Sequence, residues 1–206
     1  MVLYDFVAPA YDPLFKRIYL PFRTQALELI PKQTGAVVLD LACGTGQNFS
    51  LLASKIGHRG RIIGVDISTG MLRQARHAVQ VAARDNVTLV NMDAGLLSPN
   101  MLKAKTGISA VDFVVCTYGF TAMRDWQLAF HRSFSVLKPG GGYLIHDIYA
   151  EKRTFHSYAV EKATRTELSR KSWSLLEKLG HDFHMEYIDP SKHIFGGRLF
   201  VAFGTK

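Results

Sequence analysis

Residues 37–48 read VVLDLACGTGQN, an apolar run that ends in an acid and then breaks into a turn of small residues. The run is short and uninterrupted, which is typical of a strand buried on both faces of a parallel sheet. After the turn, apolar residues recur at helical spacing from Phe49 to Ile56. Gly44 and Gly46 permit positive φ angles and let backbone N–H groups approach a ligand. The stretch predicts a strand, a tight turn and a helix around a nucleotide-like cofactor.

The spacing of the small residues discriminates between cofactors. A dinucleotide-binding turn reads G-x-G-x-x-G, whereas this chain has Ala42, Gly44 and Gly46 with no further glycine through Ser50. An NAD-dependent oxidoreductase is therefore disfavoured. The motif from Asp40 to Gly46 resembles the first motif of class I S-adenosylmethionine-dependent methyltransferases, which usually carry glycine where Ala42 stands. This resemblance implies methyl transfer with S-adenosyl-L-methionine as the cofactor.

Two further strands lead to acids. Residues 61–65 form an apolar run before Asp66, which follows Gly46 at roughly the 20-residue interval at which an acid meets ribose hydroxyls in nucleotide-binding α/β folds. Residues 86–90 form another run that leads to Asp93. In the methyltransferase family an acid at this point bonds the adenine amino group. Three strand ends with an acid each favour a cofactor site over a purely structural turn.

The fourth and fifth strands bring candidate catalytic residues to the same edge of the sheet. Residues 111–116 lead to Thr117 and Tyr118, and residues 143–145 lead to His146, which we expect at the strand's tip. Ligands of open α/β sheets bind outside the carboxyl ends of the strands. A histidine there can hold or remove a substrate proton, or it can simply hydrogen-bond a neighbouring loop. We predict His146 and Tyr118 as catalytic residues.

The resemblance also implies which residues hold the cofactor. Direct methyl transfer needs alignment of the reacting atoms more than covalent help, and aromatic rings can stabilise the positively charged sulfonium. The two cysteines, Cys43 and Cys116, follow no metal-ligand pattern, so no metal site is predicted. The predicted cofactor-binding residues are Asp40, Ala42, Gly44, Gly46, Asn48, Asp66, Ile67, Met71, Met92, Asp93, Ala94, Thr117 and Tyr11.

Residues 1–30 precede the first strand. Pro9, Pro13 and Pro21 divide this segment, whose pattern is aromatic, aliphatic and basic. The surroundings of Tyr11 resemble the N-terminal Tyr-Asp stretch of quinone-type methyltransferases, which implies a helical lid over the cofactor. Two alternatives are helices that cap the sheet and a helix on a membrane surface, since basic and aromatic residues suit that interface. We expect the lid, and we expect the sheet to fold without it.

Towards the end of the chain, two strands follow each other without a helix between them. Residues 181–187 alternate, and residues 197–204 place Leu199, Val201 and Phe203 on one face. Consecutive strands of this kind pair antiparallel. With the alternating strands and helices before them, they predict an α/β fold. By resemblance it is a Rossmann-like doubly wound sheet of the seven-stranded methyltransferase type, with the last strands antiparallel.

Length and composition limit the alternatives. The 206 residues fit one domain, so we expect residues 1–206 to form a single methyltransferase domain. No apolar run approaches the ~18 residues that a membrane span needs, and the low cysteine content favours a reducing, cytoplasmic location. The net charge of +8 suits nucleic acid, anionic lipid or a solvated surface without a partner.

The acceptor is predicted to be a small molecule. Motifs that mark amino-directed methyltransferases of nucleic acids are absent after the fourth strand, which disfavours nucleic acid as a partner. The aromatic lid favours a quinone-like or lipid-borne acceptor and leaves peripheral membrane contact open, with the protein a monomer or a homodimer. The alternatives are an RNA- or phospholipid-directed methyltransferase that uses the basic surface, and a nucleotide-binding module without catalysis. A steep salt dependence of RNA binding would identify an RNA-directed protein.

Overall fold

The computed structural model describes residues 18–152, 154–189, 193–194 and 196–206. The first described helix, α1, covers residues 18–27. The other helices are α2 (Phe49–Ile56), α3 (Thr69–Val81), α4 (Pro99–Thr106), α5 (Trp126–Ser135), α6 (Phe155–Thr164) and α7 (Ser174–Leu179), with a 3₁₀ turn at Ala94–Leu96. The strands are β1 (Val37–Leu41), β2 (Arg61–Asp66), β3 (Val87–Asn91), β4 (Val111–Thr117), β5 (Leu137–Tyr149), β6 (His181–Tyr187), β7 (His193–Ile194) and β8 (Gly197–Thr205).

Seven strands form a continuous sheet in the order β3-β2-β1-β4-β5-β8-β6, and β7 pairs with β8 beside it. The strands β1 to β5 pair in parallel, whereas β8 is antiparallel to both β5 and β6. The predicted sheet with antiparallel last strands is confirmed. The strand order reverses between β1 and β4, and their carboxyl ends flank the crevice where open sheets bind ligands.

Each face of the sheet has its own core. On β1, Val38 packs on one face and Leu39 on the other, as the alternation of a strand requires. Helices α1, α2 and α3 cover the first face, and helices α4, α5 and α7 cover the second. Burial on both faces explains why the central strands are uninterrupted apolar runs. None of the helices within the described residues combines the length and apolar character needed to cross a bilayer.

Strand β5 is longer than the sequence pattern indicates. The pattern predicts a strand over 143–145, but a single strand runs from Leu137 to Tyr149. Its last part pairs with β8, with Ile148 opposite Leu199. The antiparallel neighbour therefore prolongs β5 beyond the end of β4. The expectation that His146 lies at the strand's tip is wrong, because the residue lies inside the strand and is fully buried.

Helix α1 continues through Pro21, where we expected the segment to be divided. The helix buries Tyr19, Ala26 and Leu27, and Ile30 follows them into the core. Residues 18–30 are thus packed against the sheet. Tyr11 lies outside the described residues, and the lid over residues 1–30 stays a prediction.

Candidate active site

A cavity of about 440 Å³ opens at the carboxyl ends of β1 to β4. Small-molecule sites typically measure roughly 300–1,000 Å³. The cavity lies at the crevice where the strand order reverses. The strand ends that we expected to form the site therefore meet at this cavity. Nine of the predicted site residues line it: Ala42, Asp66, Ile67, Met71, Met92, Asp93, Ala94, Thr117 and Tyr118.

In the turn after β1, every second residue has a left-handed backbone conformation. Ala42, Gly44 and Gly46 have φ angles of 55°, 55° and 83°. An alanine in this region costs about 1–2 kcal/mol that glycine avoids. Gly119 makes room for the alanine, because a Cβ on Gly119 would lie 2.8 Å from Cβ of Ala42. The chain therefore forms a left-handed turn with alanine at position 42, where the motif that it resembles usually has glycine.

Two acids form what we call the open rim of the cavity, Asp66 and Asp93. Asp66 accepts hydrogen bonds from the backbone N–H of Gly44 and from that of Ser68, both at 2.8 Å. Asp93 accepts one from the N–H of Gly95, also at 2.8 Å. A carboxylate oxygen can accept more than one hydrogen bond. Backbone N–H groups thus orient both acids, and their carboxylates can also accept from the hydroxyl or amino groups of a ligand.

On the opposite side, Arg23, Asp40, Asn48 and Thr117 form what we call the buried network. Nη1 of Arg23 donates to Oδ1 of Asn48 at 3.0 Å and to Oγ1 of Thr117. Nδ2 of Asn48 donates to Oδ1 of Asp40 at 2.8 Å. Burial raises the pKa of Asp40 to about 7, against the effects of the Asn48 hydrogen bond and the Arg23 charge. The second oxygen of Asp40 has no hydrogen-bond partner among the described residues.

Tyr118 links the cavity to His146. Its hydroxyl lies 2.7 Å from Nε2 of His146, and Nδ1 of His146 lies 2.8 Å from the carbonyl oxygen of Phe200. Because a carbonyl only accepts, Nδ1 carries the proton and Nε2 accepts from the tyrosine. Burial lowers the pKa of His146 to about 3, so the imidazole is neutral at physiological pH. Tyr118 lines the cavity and His146 stands behind it.

The backbone at Tyr118 is also unusual, with a φ angle of 56°. Its ring packs 4.4 Å from the ring of Tyr19, and the guanidinium of Arg23 lies 4.7 Å from its centre. Strained backbone persists only where surrounding contacts hold it, and it clusters at functional sites. Tyr118 is therefore fixed from three sides: by helix α1, by His146 and by the end of β4.

The loop after β4 supplies a wall of the cavity, of which the sequence analysis missed the part beyond Phe120. Asp147 holds this loop, because its carboxylate accepts from the N–H of Thr121 at 3.1 Å and from its hydroxyl at 2.8 Å. Arg170 donates to the carbonyl of Phe120 at 2.5 Å and to that of Met123 at 2.6 Å. The loop residues that line the cavity are Gly119, Ala122, Met123, Arg124 and Asp125.

Comparison with known proteins identifies the family. Residues 32–187, which are most of the chain, match a family described as a methyltransferase domain. The chain belongs to this methyltransferase family. The predicted class I S-adenosylmethionine-dependent methyltransferase is confirmed, and so is S-adenosylmethionine as its cofactor.

Relatives of this methyltransferase agree with the fold. A demethylmenaquinone methyltransferase from Listeria welshimeri is 27% identical over 165 residues, which cover 76% of this chain and 67% of the relative. A crystal structure of a SAM-dependent methyltransferase from Aquifex aeolicus has a TM-score of 0.63 at 18% identity, with 88% of each chain covered. Phosphoethanolamine N-methyltransferase 2 from Haemonchus contortus, in complex with S-adenosyl-L-methionine, has a TM-score of 0.77 at 18% identity over 98% of this chain and 57% of that one.

Five other predicted residues within the described part of the chain stand away from the cavity lining. Asp40, Asn48 and His146 are buried behind the lining, and Gly44 and Gly46 shape the turn. Sequence reasoning missed Arg23, although a signal was present. Arg23 interrupts an apolar stripe at helical spacing: Tyr19, Ala26, Leu27 and Ile30.

Proposed function

We propose that the protein transfers a methyl group from S-adenosylmethionine to a small, quinone-like or lipid-borne acceptor. The observation that carries this proposal is the cavity at the reversal of strand order, with Asp66 and Asp93 on one side and the ring of Tyr118 on the other. The similarity to demethylmenaquinone methyltransferases supports an acceptor of this class. The alternatives, an RNA- or phospholipid-directed enzyme and a module without catalysis, are not favoured.

The open rim suits the nucleoside part of the cofactor. Asp66 is placed to accept hydrogen bonds from ribose hydroxyls, and Asp93 from the adenine amino group. Ile67, Met71 and Met92 line the same part of the cavity and supply apolar contacts for a purine ring. When bound, the cofactor supplies an electrophilic methyl group on a sulfonium. The chain's own contribution is to align this group with the acceptor and to exclude water.

The acceptor side is built around Tyr118. Its ring, supported from behind by Tyr19, forms with Met123 an apolar and polarisable surface for a flat methyl acceptor. The hydroxyl of Tyr118 donates its proton to a hydrogen bond with neutral His146. Its oxygen can therefore accept a hydrogen bond from a hydroxyl group of the methyl-accepting substrate. In this arrangement Tyr118 is the catalytic residue and His146 a positioning residue, because His146 does not line the cavity.

The proposed lid belongs to the same side. Helix α1 contributes Arg23 to the cavity lining and Tyr19 to the stack on Tyr118. These contacts support a covering role for the N-terminal segment, residues 1–30. They also mean that the covering segment is anchored in the core from Tyr19 onwards.

The test combines binding and turnover. Calorimetry is expected to detect S-adenosylmethionine and S-adenosylhomocysteine but not NAD. Labelled cofactor is then offered with a hydroquinone or demethylmenaquinone analogue, with phosphoethanolamine and with RNA, and methylation of the quinone analogue is expected. Binding of the cofactor with transfer only to phosphoethanolamine or RNA would contradict the acceptor class, and absence of cofactor binding would contradict the whole proposal.

A further inference from the structure

Helix α6 carries its aromatic side chains on the outside and two polar side chains towards the core. A surface helix normally buries its apolar residues and exposes its polar ones. In α6 the buried residues are Ser157 and Glu161. Phe155 is instead 89% exposed, and Tyr158 is 43% exposed. The two rings are three residues apart and therefore lie on one side of the helix. The packing of the chain itself does not explain this outward aromatic side.

Hydrogen bonds and close packing hold the buried side of α6 in place. Glu161 accepts a hydrogen bond from the backbone N–H of Leu168 at 2.9 Å. Oγ of Ser157 accepts one from the N–H of Thr154 at 2.8 Å. The turn before β8 packs against the same side, because a Cβ on Gly196 would lie 2.9 Å from Cβ of Ser157. These contacts fix which side of the helix faces the core, so the two aromatic rings stay outside.

The outer side of α6 is also positively charged. Lys162 follows Tyr158 by about one helical turn, and its Nζ lies 5.7 Å from the centre of the tyrosine ring. Lys152 and Arg165 are exposed shortly before and directly after the helix. The single acid of α6 is Glu161, which is buried. The exposed side of this helix therefore combines aromatic rings with cations.

Arginines pair with the exposed acids that are nearest to α6 in the chain. Oε2 of Glu151 lies 3.7 Å from Nη2 of Arg198. Oε2 of Glu167 lies 2.5 Å from Nη2 of Arg170. Because these acids face arginines, they do not cancel the charge of the three cations at the helix. The chain as a whole has a net charge of +8. An anionic partner is complementary to this part of the surface.

We propose that α6 docks on an anionic phospholipid membrane through an outer face formed by Phe155, Tyr158 and Lys162. Basic and aromatic residues on one side of a helix are typical of helices in the membrane interface. The phenyl ring can enter the acyl region, while the tyrosine hydroxyl and the ammonium group stay among the headgroups. A protein partner is less suited, because a stable protein–protein interface takes about 20–30 residues from each side. This docking goes beyond the proposed function, because it requires neither the cofactor nor the acceptor.

A docked α6 holds the cavity beside the lipid surface. The helix follows β5, whose carboxyl end lies at the same edge of the sheet as the cavity. The segment after α6 is joined to the loop that lines the cavity. In this segment the N–H of Glu167 donates to the carbonyl of Thr121 at 2.8 Å, and Arg170 donates to the carbonyl of Phe120. This placement suits the lipid-borne acceptor proposed above.

The experiment measures binding of the full chain to lipid vesicles, without cofactor or acceptor. Vesicles of phosphatidylcholine alone are compared with vesicles that contain about 30% phosphatidylglycerol, whose headgroup is anionic. The wild type is expected to bind the anionic vesicles about tenfold more tightly or better. Raising the salt from about 0.1 M to about 0.5 M is expected to weaken this binding, because salt screens the attraction.

Substitutions on the outer face separate its two contributions. Phe155→Ser removes the exposed ring and is expected to weaken binding to anionic vesicles about tenfold. Lys162→Gln removes one cation and is expected to weaken binding about fivefold and to lower its salt dependence. Phe155→Trp keeps an aromatic ring. It is expected to bind like the wild type, and its fluorescence is expected to shift to the blue when vesicles are added.

Two matched controls lie at the opposite edge of the sheet. Helices α3 and α4 end there, because a helix between two parallel strands returns the chain to their amino ends. Val81→Ser changes an exposed apolar residue at the end of α3, and Lys105→Gln removes an exposed cation in the last turn of α4. Both are expected to bind vesicles like the wild type. All these substitutions are on the surface, so the melting temperatures are expected to stay nearly the same.

Several outcomes overturn the proposal. One is a wild type that binds both kinds of vesicle equally or binds neither. Another is a Phe155→Ser that binds like the wild type, because the membrane contact then lies elsewhere. A third is a Lys105→Gln that weakens binding as much as Lys162→Gln, because net charge alone then drives it. Sedimentation without lipid tests whether the outer face instead pairs two copies of the chain, and a dimer that Phe155→Ser dissociates also overturns the proposal. None of these measurements uses methyl transfer, so their failure is distinct from a failure of the proposed function.

Discussion

The open rim and the buried network bind polar groups in contrasting ways. At the open rim, Asp66 and Asp93 each accept a hydrogen bond from a backbone N–H two residues ahead in the chain, and Asp66 accepts a further one from Gly44, 22 residues earlier. In the buried network, the hydrogen bonds of Arg23 reach Asn48, 25 residues away, and Thr117, 94 residues away. The rim bonds come from backbone N–H groups, whereas the network joins side chains that meet only after the core has formed. We therefore expect changes at the rim to affect ligand binding, and changes in the network to affect stability as well.

The largest expected effect is on stability and concerns α1. A chain that starts at residue 33 is expected to lose roughly 5 kcal/mol or more compared with a chain that starts at residue 18. The reason is that Leu27 and Ile30 are almost fully buried and each contributes about 1.5–3 kcal/mol, before the loss of Tyr19 and Arg23. Urea unfolding of both chains measures this difference. Equal unfolding midpoints would restore the simpler expectation that the sheet folds without this segment.

The next effect is on turnover and concerns Tyr118. Tyr118→Phe is expected to lower kcat by about 10²-fold or more, with the affinity for S-adenosylhomocysteine nearly unchanged. Because the pKa of His146 is about 3, the wild-type rate should show no ionisation of this histidine between pH 6 and 7. His146→Gln, which can still accept from the hydroxyl of Tyr118, is expected to keep more activity than His146→Ala. Full turnover in Tyr118→Phe would remove the tyrosine from the mechanism.

The buried network also predicts a pH dependence of stability. The pKa of Asp40 is raised from 3.8 to about 7, so the folded state favours the protonated carboxyl and loses stability as the pH rises from about 4 to 7. Asp40→Asn keeps the acceptor for Asn48 and removes the charge. It is expected to gain about 1–4 kcal/mol relative to the wild type at pH 8 and nothing at pH 4.

Urea unfolding between pH 4 and 8 checks this prediction. Asp147 titrates in the same direction, because burial raises its pKa to about 6, and it is unchanged in the variant. The difference between the two proteins therefore isolates Asp40. Parallel pH curves for wild type and Asp40→Asn would contradict the raised pKa.

At the open rim we expect the opposite of the buried network: a substitution changes the affinity for the cofactor but hardly changes the stability of the fold. Asp93→Ala is expected to weaken S-adenosylhomocysteine about tenfold, while the free energy of unfolding changes by less than about 1 kcal/mol because the side chain is exposed. Calorimetry and urea unfolding on one preparation measure both. A loss of stability as large as that from removing α1 would show that the open rim and the buried network do not differ in their contribution to stability.

The smallest expected effect is a gain. Ala42→Gly relieves a left-handed backbone and is expected to stabilise the protein by about 1 kcal/mol. Ala78→Gly, on the exposed face of α3, is the matched control and is expected to destabilise by about the same amount. Melting temperatures compare the two. A fall in both would show that the methyl of Ala42 contributes more through its contact with Gly119 than its strain costs.

Much of the fold could be predicted because each decisive feature is local. The glycines of the turn and the acids at the ends of β2 and β3 occur at short, regular intervals. The length of β5 could not be predicted in this way, because the partner that extends it, β8, lies about 50 residues later in the chain. The same holds for His146, whose burial depends on Phe200 and on the end of β4.

The sequence by itself determined the order of strands and helices, the family motif and the two acids that line the cavity, Asp66 and Asp93. Those features depend on backbone geometry and on neighbours a few residues apart. The tertiary structure alone decided that Arg23 lines the cavity, that Asp40 is buried close to Arg23 and that Tyr118 stands between His146 and the cavity. Such placements depend on which distant helices pack together, and on the cost of burying charge once they do.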